Sequence, residues 1–458
     1  MAMKQSVRDQ IRKNICYELK NIHIGGSDHP VVWRVKLPMV EPNIIKWLNS
    51  IPVFPRFYWS DRTGTLDVAS AGQALQIKLT ERADNLDVFG KIRNILAGSH
   101  PETRFYGGMR FDPARSAGTE WEPYGSYYFF IPRLEMIRKE DETDFIYNFV
   151  LTRKNPNVAD IITELETLVD TAGTASEAKW IPISWSERFD SPDIPGWQKN
   201  IEKALDYIHQ GILDKIVLAR RTHLQFQQEI DPLILFEKML EKYSNSFCFY
   251  FQLQHNLSFL GVTPELLYSR NQEQLFSEAI AGTRPRSEDP VEDERLAKEL
   301  AENRKEIDEH GWVLNEVEKN LENLCVSSRR LSNNTIMKQT YVQHLYAQFK
   351  GVLKADIFDN HILEALHPTP AVAGSPQKTA VRYISDLEEF DRGWYGGPIG
   401  WVSGSSSTFA VAIRSALLQA RQMFIYAGAG IVKESRADEE WQEIENKIMN
   451  YTRLITAK

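Results

Sequence analysis

Hydrophobic positions in the first 190 residues come in short runs that end at turn residues. VVWRVKL (31–37), FPRFYWS (54–60), RFYGGMRF (104–111), SYYFFIPRLEMI (126–137) and DFIYNFVL (144–151) are rich in aromatic and β-branched residues. Such side chains suit a half-buried pleated surface, so each run predicts a strand. Around 188–198 the pattern lapses: RFDSPDIPGWQ has two prolines, a glycine and no periodicity, and reads as a linker. Helical spacing follows, with Ile201, Leu205, Ile208 and Ile212 on one face and Gly211 in the last turn.

The remainder alternates long helices with strands. IVLARRTHLQF, FCFYFQLQ, LSFLGV and LLYSR predict strands, as do PIGWVSG, TFAVAIRSALLQ and QMFIYAGAGIV further on. Between them, roughly 290–332 reads as one long charged helix or a broken pair, and a last helix covers roughly 437–456. The strands are too many, and their connections too short, for a doubly wound parallel sheet. The expected class is α+β, with large, mainly antiparallel sheets flanked by helices. Residues 1–190 and 191–458 are two portions of what is expected to be one globular unit, the first completing the sheet around the second.

Composition narrows the function. With 42% hydrophobic and 25% charged residues the chain can bury a large core. Its net charge is −8 and its Lys and Arg residues are scattered among acids, so it offers no basic stripe to a nucleic acid. Cys16, Cys248 and Cys325 are far apart, which speaks against a disulfide framework and a thiolate zinc site. The N-terminus is charged and lacks an apolar signal core, and no stretch approaches the ~20 apolar residues of a membrane span. A cytoplasmic protein without membrane or nucleic-acid partners is expected.

Four features could carry chemistry. Glu306 and Glu309, and later Glu440 and Glu443, are each three apart, so each pair shares a helix face. Two such faces could converge on a hard cation, and oxygen-only ligation with room for water and substrate suits Mg²⁺; the same spacing also describes solvated helix faces. Lys215 opens an apolar strand and, if desolvated, could act as a general base; the alternative is a strand-edge lysine reaching for water. Glu265, in GVTPELL, lies among apolar residues that would keep a carboxyl protonated, or else starts a helix capped by Thr263. Arg414 falls on an alanine-lined face of TFAVAIRSALL, with space for a ligand carboxylate or for a structural ion pair. Glycine-rich turns at EAIAGT, WYGGPIG and YAGAGIV fit no phosphate-binding loop and would let the backbone approach a small ligand.

The order of these pieces resembles a known family. DKIVLAR, GVTPELL, SEAIAGT, RKEIDEH, LHPTPAVAG, RGWYGG, FAVAIRS, YAGAGIV and EEWQEIENK follow one another as in the chorismate-utilising enzymes, which include isochorismate, salicylate, anthranilate and aminodeoxychorismate synthases. The resemblance is dense over 195–458 and only general before it. It implies Mg²⁺ held by Glu309 and Glu443, with Glu306 and Glu440 acting through water, and the metal holding the ring carboxylate of chorismate. It further implies that Arg414 and Tyr395 bind the enolpyruvyl carboxylate and that Gly282, Thr283, Gly428 and Gly430 line the pocket. Lys447 matches a pocket lysine near a carboxylate, and His344 a ring-contacting histidine; taken alone, His344 reads as a structural residue.

Within the family, a lysine at the position of Lys215 goes with water as nucleophile and a glutamine with ammonia. Lys215 as base and Glu265 as acid then imply an isochorismate synthase. Ala281 stands where the aminodeoxychorismate branch usually carries a nucleophilic lysine. Neither an amino-acid inhibitor motif nor a need for an amidotransferase subunit is apparent. LHPTPAVAG favours isochorismate over salicylate synthase, the main alternative. An inactive chorismate-binding subunit would have lost charged site positions, and all are present. The product could feed quinone, siderophore or salicylate synthesis.

Overall fold

The computed structural model describes residues 9, 13–17, 30–37, 43–80, 85–140, 142–151, 158–170, 180, 182–243, 245–332 and 335–456. Most of the charged N-terminal stretch read as free of a signal core lies outside them.

Among the described residues every strand pairing is antiparallel. One ladder runs from Trp185–Ser191 through Lys215–Phe226, Gln422–Ile431, Ser415–Gln419, Leu257–Thr263 and Phe247–Gln254 to Arg56–Ser60 and Leu66–Leu79. A second runs from Cys325–Arg330 through Val342–Leu353, Gln274–Pro285, Leu266–Asn271, Ser406–Val411 and Pro398–Ser403 to Arg104–Met109. The long strand Tyr127–Lys139 joins the two by pairing with Leu66–Leu79 and Arg104–Met109.

The early strands therefore lie inside the ladders. Phe57 is in register with Phe251 and Tyr106 with Trp401. An aromatic seam follows from this pairing: Phe130 stacks on Phe251 at 5.6 Å, and Trp121 meets Phe259 edge-on at 5.1 Å. Such ring pairs add specific geometry to the apolar area they bury. Helix Arg304–Leu324 packs on Gln274–Pro285, and helix Ala437–Thr456 packs on Gln422–Ile431. These two helices carry the paired glutamates.

Two expectations change and one open alternative is decided. The 188–198 segment is no linker: Trp185–Ser191 is a strand, Asp193 caps helix Ile194–His209 by accepting from the Gly196 N–H at 2.9 Å, and Trp197 is buried. Its prolines and glycine punctuate elements instead of loosening the chain, with Pro195 in the first helical turn, where a missing N–H costs nothing. The charged stretch after 290 is a broken pair, Pro290–Glu302 and Arg304–Leu324; Asn303 caps the second, and the chain turns to strand at Cys325. TFAVAIRSALLQ splits into two strands at Ala412–Arg414. Gly397 O accepts from the Ala412 N–H and the Gly396 N–H donates to the Ala412 carbonyl, so this stretch leaves the ladder. Arg414 then adopts a left-handed φ of 47°, and its placement owes nothing to strand alternation.

Candidate active site

Lys215 is 1% exposed. It opens a strand whose first six residues are all buried, so its stem has no route to water. A buried ammonium needs a counter-charge, and Nζ meets Glu309 Oε1 at 2.5 Å. Glu309 comes from helix Arg304–Leu324, whose start is fixed by the Asn303 cap. Gly430 passes close by: a Cβ there would lie 2.8 Å from Lys215 Cε and 3.1 Å from Glu309 Oε1. The missing side chain at Gly430 leaves the room that the Lys215 and Glu309 side chains occupy.

Glu265 occupies the corner between strands Leu257–Thr263 and Leu266–Asn271, so it starts no helix. Its carbonyl accepts from the Val411 N–H, and its Oε1 accepts from the Thr369 hydroxyl at 3.0 Å. Burial pushes the carboxyl from an ordinary 4.5 up to about 7, with the Thr369 hydrogen bond pulling the other way. Lys215 is near enough to act on the same carboxyl, so both belong to one site. Thr369 is a residue the sequence reading missed. Its signal was LHPTPAVAG itself, quoted as a motif but given no chemical role.

His344 and Arg414 form a second group. Arg414 NH2 lies 3.0 Å from His344 Nε2, and its NH1 donates to Gln339 Oε1 at 2.7 Å. A guanidinium can only donate, so Nε2 must accept and the ring proton sits on Nδ1. Nδ1 donates to Gly282 O at 2.9 Å and also lies 3.1 Å from Thr283 Oγ1. Burial, with Arg414 adding to it, lowers His344 to about 3, so it is neutral. Burial likewise lowers Arg414, to about 10. Gln339 is a second missed partner, lying between strands and outside the quoted motifs.

The C-terminal helix supplies the rest. Lys447 Nζ donates to Glu443 Oε1 at 2.6 Å and to Gly428 O at 2.8 Å. Burial opposes its charge, but Glu443 outweighs that and raises Lys447 above its ordinary value, with Glu309 contributing. Glu309 and Glu443 thus act on one ammonium from two helices. Glu440 is buried one turn before Glu443. Tyr395 stacks on Tyr426 at 5.6 Å, and its hydroxyl would lie 3.1 Å from a Cβ on Gly428.

The four glutamates do not gather into one cluster. Among the described residues no three His, Cys, Asp or Glu side chains stand close enough to hold a metal by themselves. Three of these carboxylates meet a cation of the chain: Glu309 with Lys215, Glu443 with Lys447, and Glu306 with Arg284 at 2.6 Å. Close-set carboxylates repel unless neutralised, and these lysines and arginine do so here. The donor set still fits Mg²⁺, which is commonly held by one or two carboxylates with water and substrate completing the shell.

The sequence matches the family described as "Chorismate binding enzyme" over residues 19–456, including the first half, where the resemblance in sequence motifs was only general. The chain belongs to this family. Among curated relatives, the chloroplastic isochorismate synthase of Catharanthus roseus is 32% identical over 407 residues, covering 86% of this chain and 69% of that protein. The isochorismate synthase MenF of Haemophilus influenzae is 30% identical over 452 residues, covering 98% of this chain and 97% of that protein. Among solved structures, MenF, the menaquinone-specific isochorismate synthase of Escherichia coli, superposes with a TM-score of 0.84 at 27% identity, covering 98% of this chain and 99% of that one. The α+β class and the antiparallel sheet flanked by helices are those of this chorismate-binding fold. No helix of the described residues is long and apolar enough to cross a membrane.

Proposed function

We propose that this chain is an isochorismate synthase, converting chorismate to isochorismate with Lys215 as general base and Glu265 as general acid. The observation that carries the reading is the pairing of opposites in one site: a buried lysine near a buried carboxyl that is half protonated near pH 7. Water attacks C2 of the ring and gives its proton to Lys215 Nζ acting as the neutral amine, the ammonium that pairs with Glu309 having first lost its proton. The ring double bond shifts, and the C4 hydroxyl leaves as water with the proton of Glu265. One water is added and one released, so the product is an isomer.

Arg414, through its fork, and Tyr395 hold the enolpyruvyl carboxylate. His344, neutral and locked by Gly282 O and Arg414, orients that guanidinium. Glu309 and Glu443 would be Mg²⁺ ligands, with Glu306 and Glu440 acting through water. When bound, Mg²⁺ would neutralise the ring carboxylate of chorismate and replace the Lys215 ammonium as the partner of Glu309. Chorismate is the substrate, no amidotransferase subunit is needed, and the setting is cytoplasmic. Relatives are menaquinone-specific in one case and vibriobactin-specific in another, and the product of this chain would feed a quinone, siderophore or salicylate route.

Purified protein with Mg²⁺ and chorismate should yield isochorismate without releasing pyruvate. Stoichiometric pyruvate together with fluorescent salicylate would replace the reading by salicylate synthase. EDTA should stop turnover; unchanged turnover would remove the glutamates from the metal role.

A further inference from the structure

The first half of the chain has so far supplied scaffold. One side chain from it goes further. Between strands Arg56–Ser60 and Leu66–Leu79 the tip DRTGT is held by Asp61, whose carboxylate accepts from the Thr65 N–H at 2.9 Å and the Thr65 hydroxyl at 2.6 Å. This hairpin presents Arg62 to the acid corner. Arg62 NH2 donates to Pro264 O, the carbonyl directly before Glu265, at 2.6 Å. The same guanidinium straddles Glu278, with NH1 at 3.0 Å from Oε1 and NH2 at 2.5 Å from Oε2. It also lies over the Phe247 ring at 4.9 Å. Glu278 is buried on strand Gln274–Pro285 and takes a further donor, the Tyr346 hydroxyl, at 2.6 Å.

We propose that Arg62 and Glu278 are positioning residues for the acid, the Arg62 fork fixing the Pro264–Glu265 corner and Glu278 holding the fork and facing Glu265 with a negative charge. This rests on Glu265 being the acid. A bidentate guanidinium is rigid where a lysine is not, so the arrangement fixes direction as well as charge. The groups that face Glu265 are the Thr369 hydroxyl, Glu278, Lys215, Arg62 and Tyr395. Glu278 pushes its protonation upward while Lys215 and Arg62 push it down. Arg62 and Glu278 are therefore opposed levers on one proton, which a merely structural ion pair would not be.

The test reads that proton directly in the full-length protein. The C=O stretch of the protonated Glu265 carboxyl is followed by infrared difference titration and identified by its loss in Glu265→Gln. Glu278→Gln should lower the midpoint and Arg62→Met should raise it, by about one pH unit each. The double variant should return near the wild-type midpoint. Arg62→Met should also lower kcat about tenfold with KM nearly unchanged, and Arg62→Lys should recover part of that loss. Midpoints that stay put, or that move in the same direction in both variants, overturn the proposal. Should Arg62→Met fail to fold, the isosteric Glu278→Gln decides alone, and an unmoved midpoint overturns it. If Glu265→Gln itself keeps turnover, the acid reading fails. If Glu265→Gln is inactive while the midpoints do not move, only the positioning role fails.

Discussion

At the Lys215 end of the site charge is matched by charge: Lys215 meets Glu309, Lys447 meets Glu443 and Arg284 meets Glu306. At the Glu265 end a carboxyl is 5% exposed and receives one hydroxyl, from Thr369. The first arrangement gives each charged group an opposite charge from the chain. The second lets burial act with little opposition, so the carboxyl keeps its proton to about pH 7. One pole is thus set by partners and the other by desolvation, and Lys215 becomes a base when Glu309 is drawn away from its ammonium. The difference also predicts how each pole responds when altered. Removing a partner from the matched pole strands a charge, whereas a neutral isostere at the apolar pole leaves the packing whole.

The largest effect is expected from Lys215→Ala. Turnover should fall about 10³- to 10⁴-fold, the upper part of what a general base contributes. Mg²⁺ affinity, read by calorimetry, should survive or rise, because Glu309 loses its competing ammonium. Near-normal isochorismate formation would move the base elsewhere.

Glu265→Gln should cost about 10²- to 10³-fold in turnover, and its stability sharpens the contrast between the poles. The folded carboxyl, at about 7, binds more protons than the unfolded one, at 4.5, so wild-type stability should decline as pH rises through that window. The glutamine variant lacks this slope and should gain on wild type between pH 5 and pH 8 in urea unfolding. If the two curves stay parallel, burial does not hold the Glu265 proton.

Much of this was legible in sequence because it is local. Strands such as Phe247–Gln254 announce themselves by unbroken aromatic and β-branched runs, and the two glutamate-bearing helices by their spacing. The misreadings have a common cause, which is that proline, glycine and arginine were read without their partners. Pro192 and Pro195 looked like a flexible joint, yet Trp197 in the first turn of the following helix is buried. Arg414 looked like a strand residue because the bonds from Gly396 and Gly397 that break the strand come from another segment. Thr263-Pro264-Glu265 has the residues of a helix start but lies between two strands. Arg62 left no trace at all, since the carbonyl it holds is 202 positions away. Periodicity reports which face is buried; it says nothing about which distant polar group will arrive there.

The smallest effect, and the finest test of the apolar pole, belongs to Thr369→Val. The Thr369 hydroxyl opposes burial through a hydrogen bond to Glu265, and it favours the carboxylate. Valine keeps the shape and removes the donor, so the carboxyl should hold its proton to a pH above about 7. The infrared midpoint of Glu265 should rise accordingly, while kcat at the optimum changes only about two- to threefold, because position is kept and one net hydrogen bond of about 1 kcal/mol is lost. An equal loss at the matched pole would behave differently: taking the Lys447 ammonium from the half-exposed Glu443 leaves excess negative charge facing an anionic substrate and should weaken substrate binding more. A midpoint that falls in Thr369→Val would mean that the hydroxyl favours the protonated acid, and that the apolar pole, too, is set by its partner.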